Sequence, residues 1–207
     1  AIGRIAVMGL KCTVIYNPHG WSFDMDISSK KKTFYRFLEK ILAAATDKIV
    51  TISEHEKRIA LKNRICNENK IEVIYNGIDL DKCKSIKAER TELGYKEKDF
   101  IIGCAARLSE QKDPLLFADV AGHIAKKYPD TRFIWVGDGE LREDFITALK
   151  KNNVFDKTTI TGWVNNPCEY ISVFDVAVLF SKWEGFGLCL AEYLALGKPV
   201  VATNVGA

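Results

Sequence analysis

The chain has 207 residues, 47% of them hydrophobic and 28% charged, with a net charge of +3. This is the composition of a globular protein with one large domain or two small ones, and it excludes a disordered or low-complexity chain. The charge is too balanced for a nucleic-acid binder, where a basic excess is expected, and no apolar run reaches the ~18 residues of a bilayer-crossing helix. Six cysteines (Cys12, Cys66, Cys83, Cys104, Cys168 and Cys189) form no CxxC pair, and the three histidines lie far apart, so no zinc site is expected. Several cysteines sit in apolar strand-like runs and read as small core residues, which fits a reducing compartment.

Ala1–Met8 reads as the tail of a helix stopped by Gly9, and Cys12–Tyr16 as a short strand. Asn17-Pro18-His19-Gly20 is a loop. In the helix Lys30–Thr46, residues Phe34, Phe37, Leu38, Ile41, Leu42 and Ala45 recur at steps of three and four and are expected on one buried face. Lys48–Ile52 is a strand. Ser53 and Glu56 read as a capping box that opens a helix to about Ile65. Ile71–Tyr75 is a strand before the turn Asn76-Gly77, and the charged stretch Asp79–Lys98 reads as a linker region.

Beyond it the alternation is regular. Strands are expected at Phe100–Ala105, Arg132–Val136, Thr158–Thr161, Asp175–Phe180 and Pro199–Thr203. Helices are expected at Leu115–Lys127 (capped by Asp113, with Pro114 in its first turn), Glu140–Lys151, Pro167–Val173 and Leu188–Leu196. Strands alternating with helices of this length imply right-handed βαβ units and a parallel sheet. Ligands of such sheets sit at the carboxyl ends of the strands. The loops to search are therefore 17–26, 106–113, 137–140, 162–166 and 181–187.

The last of these, Ser181-Lys182-Trp183-Glu184-Gly185-Phe186-Gly187, enters a helix, and Glu192 lies eight positions beyond Glu184. Glycines let backbone N–H groups approach a ligand, and a helix N-terminus favours an anion. With two carboxylates beside them, the loop suits a ligand that has phosphates and many hydroxyls, as a nucleotide-sugar does. A tight turn with two surface glutamates is the plainer alternative. Arg107 and Lys112, after the strand Phe100–Ala105, could clamp a diphosphate or be solvated loop charges. His19 stands in a strand-end loop, whereas His55 and His123 read as surface residues. The pairs Asp24/Asp26 and Asp79/Asp81 have DxD spacing but read as loop or cap residues rather than metal ligands. Lys30, Lys31, Lys32 and Arg36, with Lys57, Arg58, Lys62 and Arg64, read either as solvated faces or as a surface drawn to an anionic membrane.

Glu184, Gly185, Phe186, Gly187 and Glu192, followed by Ala195-Leu196-Gly197-Lys198-Pro199-Val200-Val201-Ala202-Thr203, resemble the E-x7-E region of retaining GT-B glycosyltransferases. These are the group 1, or family 4, enzymes of bacterial polysaccharide synthesis. Further segments come in that family's order: Pro18-His19-Gly20-Trp21-Ser22-Phe23, Ile52-Ser53, Asn76-Gly77-Ile78-Asp79, Ala106-Arg107-Leu108 with Lys112-Asp113, Val136-Gly137-Asp138-Gly139 and Thr161-Gly162-Trp163.

The resemblance implies an α/β fold of GT-B type, two Rossmann-like domains with parallel sheets, both truncated in this chain. Residues 1–80 would be part of the acceptor-side domain, 81–98 the linker region and 99–207 most of the donor-binding domain. It implies transfer of a sugar from a nucleotide-sugar, UDP- or GDP-linked, to a glycan or lipid-linked acceptor, with retention and without metal or other cofactor. Arg107 and Lys112 would hold the diphosphate and Glu192 the ribose hydroxyls. Glu184 would contact the transferred hexose, and Gly185, Phe186, Gly187 and Leu188 would offer backbone groups. Val164, with Gly162 and Trp163, would lie against the base, and His19 would face the donor sugar or the acceptor. The implied location is cytoplasmic, with peripheral contact at the inner face of the cell membrane. A nucleotide-sugar-binding module without turnover is one alternative. An NAD-dependent oxidoreductase is another, though no Gly-x-Gly-x-x-Gly opens a helix after any strand.

Overall fold

The computed structural model describes residues 2–25, 27–84 and 88–205. Contacts divide the chain into two units. One holds the residues up to Asn76 together with Trp183–Phe186; the other holds Gly77–Lys182 and Gly187–Val205.

The first unit begins with the helix Ile2–Ala6 (α1) and the strand Ile15–Tyr16 (β1). The helix Ser29–Ala44 (α2), the strand Lys48–Thr51 (β2), the helix Glu54–Lys62 (α3) and the strand Ile71–Val73 (β3) follow. The three strands form one parallel sheet in the order β1-β2-β3. Trp21, Phe23, Ala43, Ile49, Ala60, Ile65 and Ile71 fill its core, and Trp21 stacks on Phe23 at 5.4 Å between ring centroids. Ser53 caps α3 as expected, its Oγ accepting from the Glu56 N–H at 3.2 Å. Asp26, one of the DxD residues, lies outside the described residues.

The face of α2 differs from expectation. Leu42 is buried, but Phe34, Phe37 and Ile41 are 60%, 62% and 50% exposed. The helix turns Glu39, Leu42 and Ala43 inward instead. Arg4 on α1 explains the inversion, because its guanidinium meets the Glu39 carboxylate at 2.7 Å with both groups buried and stacks 3.6 Å from the Tyr16 ring centroid. A buried carboxylate is tolerated where a charge partner and hydrogen bonds meet it. A partner 35 residues away cannot be read from the helix's own periodicity.

The second unit begins with the helix Leu80–Lys84 (α4). Residues 88–98 of the charged stretch, with Asp99, then pack onto this unit. Arg90 donates to the Asp99 carbonyl at 2.6 Å and pairs with Asp175 at 2.7 Å, and the buried Tyr95 donates to Thr159 at 2.6 Å. The strands Phe100–Ala105 (β4), Thr131–Val136 (β5), Thr158–Ile160 (β6), Val176–Leu179 (β7) and Val200–Ala202 (β8) alternate with four helices. These are Pro114–Lys127 (α5), Arg142–Lys151 (α6), Pro167–Ser172 (α7) and Leu188–Ala195 (α8). All five strands are parallel, in the order β6-β5-β4-β7-β8.

This is the α/β arrangement the alternation predicts. Helices pack on both faces of the sheet, so its central strands can be apolar throughout. Phe117, Phe133, Trp135 and Phe145 cluster on one face; Ile101, Ile134, Phe174 and Tyr193 cluster on the other. Gly103 belongs where it stands because any Cβ there would collide with the Phe174 ring. The six cysteines are free thiols.

Candidate active site

The strand order fixes where the second unit can hold a ligand. From β4 the chain adds β5 and β6 on one side, then returns to place β7 and β8 on the other. The connections therefore diverge between β4 and β7. In an open parallel sheet that switch point opens a crevice at the strands' carboxyl ends. The loops leaving β4 and β7 there are 106–113 and 180–187; the first, and residues 181–187 of the second, are two of the five loops singled out from the sequence. They are joined directly, as the Lys182 N–H donates to the Gln111 carbonyl at 2.8 Å and Lys182 Nζ lies 3.7 Å from Glu110.

The β4 loop is held on its other side by the loop after β5. The N–H of Leu108 donates to Asp138 O at 2.9 Å, and that of Leu141 donates to Leu108 O at 3.0 Å. Gly137 (φ +135°) and Gly139 make this fit possible. A Cβ at the first would strike the Ala106 carbonyl, and one at the second the Leu108 carbonyl. Arg107 lies between those two clasped residues. Its side chain is 62% exposed and meets Glu140 at 3.0 Å. Lys112 ends a single 3₁₀ turn, Glu110–Lys112, and is half-buried. Asp113 follows in the left-handed region (φ +46°) and caps α5 by accepting from the Leu116 N–H at 3.3 Å. The cap was legible in the sequence; the left-handed turn that ends the Lys112 loop was not.

Gly187, in the left-handed region at φ +73°, is the N-cap of α8 and brings no side chain to its first turn. Leu188 opens that helix and is 46% exposed. Glu192 is half-buried, and burial pushes its carboxyl above the usual range. The next residue, Tyr193, is fully buried and ties α8 to the end of β4. After β6, Gly162 bridges to Gly137, Val164 is half-buried and Trp163 is 71% exposed. An indole so exposed beside a strand's carboxyl end has a whole face available for stacking.

The first unit holds the other candidates. His19 is exposed and sits at φ +48°, an uncommon conformation for a residue with a side chain; the Asn17 carboxamide supports it by accepting from the His19 N–H at 3.1 Å. Glu184, Gly185 and Phe186 are half-buried. A Cβ on Gly185 would lie 3.3 Å from Ile52 Cδ1 and 3.9 Å from the His19 carbonyl, so the unit brings this loop to His19.

It also brings Glu56, which the sequence presents only as a helix cap. The Glu56 side chain is enclosed: Oε2 accepts from the Ile52 N–H at 3.1 Å, while Oε1 has no hydrogen-bond partner. Oε1 stands 3.2 Å from the point where Gly185 would carry a Cβ. Burial raises this carboxyl above its ordinary range, opposed by the Ile52 N–H and by nearby His19. The Ser53-x-x-Glu56 spacing signals the residue's place in the helix but not its enclosure.

Both parts of the chain match known families. The family described as Glycosyl transferases group 1 covers residues 85–207, and Glycosyltransferase Family 4 covers residues 1–82. The chain belongs to the group 1 glycosyltransferases. It is 34% identical, over 99% of its length, to a UDP-Gal:alpha-D-GlcNAc-diphosphoundecaprenol alpha-1,3-galactosyltransferase of Escherichia coli, of which it covers 55%. It is 28% identical, over 82% of its length, to an N-acetylgalactosamine-N,N'-diacetylbacillosaminyl-diphospho-undecaprenol 4-alpha-N-acetylgalactosaminyltransferase of Campylobacter jejuni, of which it covers 44%. Among solved structures, Anabaena HepE in complex with UDP and glucose superimposes with a TM-score of 0.82 at 22% identity, over 99% of this chain and 56% of that one. The chain thus spans about half the length of these relatives. Its structural neighbours are GT-B glycosyltransferases, which bears out the fold expected from the motifs.

Among the described residues no group of three or more His, Cys, Asp and Glu side chains converges as metal ligands would, and no helix is long and apolar enough to cross a membrane.

Proposed function

We propose that this chain carries the donor site of a glycosyltransferase that moves a hexose from a nucleoside diphosphate to a glycan or lipid-linked acceptor, with retention and without a metal. The observation that carries the reading is the junction at the β4/β7 switch point, where the loop bearing Arg107 and Lys112 is bonded to the segment that leads into the glycine-rich loop.

In this reading the diphosphate lies between Arg107, Lys112 and the first turn of α8, where the helix dipole favours an anion. As the glycosidic bond stretches, negative charge grows on the departing phosphate. Two fixed cations stabilise that charge more in the transition state than in the ground state, as a metal ion would. Arg107 exchanges Glu140 for phosphate when donor arrives, an inexpensive exchange because exposed ion pairs contribute only ~0–1 kcal/mol. Glu192 accepts from ribose hydroxyls, and Trp163 with Val164 lies against the base. Glu184 contacts the transferred hexose near the reacting carbon, with Gly185, Phe186, Gly187 and Leu188 presenting backbone groups. His19, on its constrained loop, faces the donor sugar or the acceptor. The donor is UDP- or GDP-linked, and the reaction takes place at the cytoplasmic face of the membrane. The undecaprenol-linked substrates named for two relatives support the choice of a lipid-linked acceptor.

The test uses the full-length protein. A thermal-shift panel of UDP-, GDP- and ADP-sugars should raise the melting temperature for one base, because a ligand that binds only the native state stabilises it by mass action. Glu184→Gln should abolish transfer, and Arg107→Ala should mainly weaken donor binding. Normal turnover by Glu184→Gln overturns the site assignment. Donor binding with neither transfer nor hydrolysis in any acceptor screen would mark a binding module instead.

A further inference from the structure

Two of the six thiols, 85 residues apart in the chain, meet sulfur to sulfur. The Cys168 thiol donates to Cys83 Sγ at 3.1 Å, and both side chains are buried. Cys83 lies on α4, near the start of the second unit, and Cys168 lies on α7 of the same unit.

Both sides of the contact are anchored. The Cys83 N–H donates to the Asp79 carbonyl at 3.2 Å, and α4 packs against α8. Pro167 and Cys168 open α7, which packs against β4 and β5 and buries Ile171 completely. The chain that continues from α4 returns to the same helix, where the Ala88 N–H donates to Ser172 Oγ at 3.2 Å. Ser172 is itself fixed: its Oγ donates to the Glu169 carbonyl at 2.6 Å, and its carbonyl accepts from Lys198 Nζ at 2.5 Å.

Ordinary packing of small apolar side chains would account for two buried cysteines, but it does not require their sulfurs to face each other. A disulfide is about 2.05 Å long, so these sulfurs need to close by about 1 Å. We propose that Cys83 and Cys168 form a reversible dithiol–disulfide site, open in a reducing compartment and closed by hydrogen peroxide, that clamps α4 to α7. One thiolate attacks the peroxide. An S–O bond forms as the O–O bond breaks, and the hydroxide released leaves as water with that thiol's proton. The other sulfur then attacks the sulfenic sulfur. The S–S bond forms, the S–O bond breaks, and a second water leaves with the second proton. Two thiols lose two electrons, and one peroxide is reduced to two waters. With the second sulfur already in place, ring closure outruns further oxidation to sulfinic acid. Exchange with a dithiol reverses the bond when α4, a helix of five residues, opens. The site needs nothing from the glycosyltransferase reading.

The experiment treats folded full-length protein with hydrogen peroxide, then alkylates, digests and maps it by mass spectrometry. A linked pair of peptides carrying Cys83 and Cys168, two hydrogens lighter than the two thiol forms together, should appear, and dithiothreitol should remove it. Closing so long a loop constrains the unfolded chain, so the oxidised protein should melt about 5 °C or more higher. Cys83→Ala and Cys168→Ala should each abolish the linked pair and the shift. If either variant fails to fold, the wild-type map alone decides. Alkylation of both residues after peroxide, linkage formed only in denaturant, or sulfinic acid at either position in place of the bond overturns the proposal. A linked pair that leaves the melting temperature unchanged overturns the clamp, and one that dithiothreitol cannot reduce overturns its reversibility.

Discussion

The phenol oxygen of Tyr193 accepts a hydrogen bond from the backbone N–H of Ala105 at 2.7 Å, and both residues are buried. Tyr193 follows Glu192 on α8, and Ala105 ends β4 just before Arg107, so one bond sets the register of two site elements. Tyr193→Phe leaves a buried N–H without an acceptor, which typically destabilises by about 1–3 kcal/mol. A lower melting temperature is expected, together with weaker donor binding by calorimetry. An unchanged melting temperature would show that the bond holds nothing in place.

Arg107 and Glu140 make a second test. Their ion pair is exposed on both sides, so donor binding must break it against only weak opposition. Glu140→Gln should tighten nucleotide binding by up to about fivefold at low salt, and the gain should shrink as salt is raised. A loss of affinity instead would mean that Glu140 itself touches the ligand.

If Arg107 and Lys112 supply the positive charge that the departing diphosphate needs, transfer should survive a strong chelator at full rate. Activity abolished by chelation and restored by a divalent cation would remove the two cations from that role.

Gly185 bears on the geometry of the Glu184 loop. A methyl group there would press on Glu56 Oε1 and Ile52 Cδ1, at 3.2 and 3.3 Å. Gly185→Ala should move the loop by a fraction of an ångström. Turnover should fall about 10- to 100-fold while donor affinity changes far less, because misplacing reacting groups acts mainly on the rate. The split between kcat and KM from initial rates checks this.

Glu56 carries a pH signature. Burial raises its carboxyl, so the folded chain holds this proton at pH values where the unfolded chain has released it. Its contribution to stability is full below the ordinary glutamate range and is lost as pH rises through the raised native value. Glu56→Gln keeps an acceptor for the Ile52 N–H and removes the titration. Urea midpoints should therefore fall less steeply from mildly acidic to mildly alkaline buffer in the variant than in the wild type.

Much of the second unit was legible because its signals are local. Asp113 and Pro114 mark the start of α5 within their own turn, and the strand Phe100–Ala105 is bounded as its apolar run suggests. The loops of the candidate site followed from strand ends alone. What local pattern could not reveal depends on distant partners. Glu39 is buried because Arg4 meets it from another helix, and Phe34 and Phe37 on α2 therefore face outward. Arg107 finds Glu140 on a different loop, and the Glu56 carboxylate turns to Ile52 rather than to its cap residue. Strand β1 is only two residues long, far shorter than the apolar run Cys12–Tyr16 implies, because only Ile15 and Tyr16 find partners on β2.

Gly137 and Gly139 have no reactive group, yet each fills a spot where a neighbouring carbonyl leaves room for nothing larger than hydrogen. In a saturation mutagenesis screen these two positions should look as intolerant as any acid or base in the protein. A map of essential residues drawn from such a screen would mark the hinge pins of the fold alongside its working chemistry, and only the carbonyls of Ala106 and Leu108 would tell the two apart.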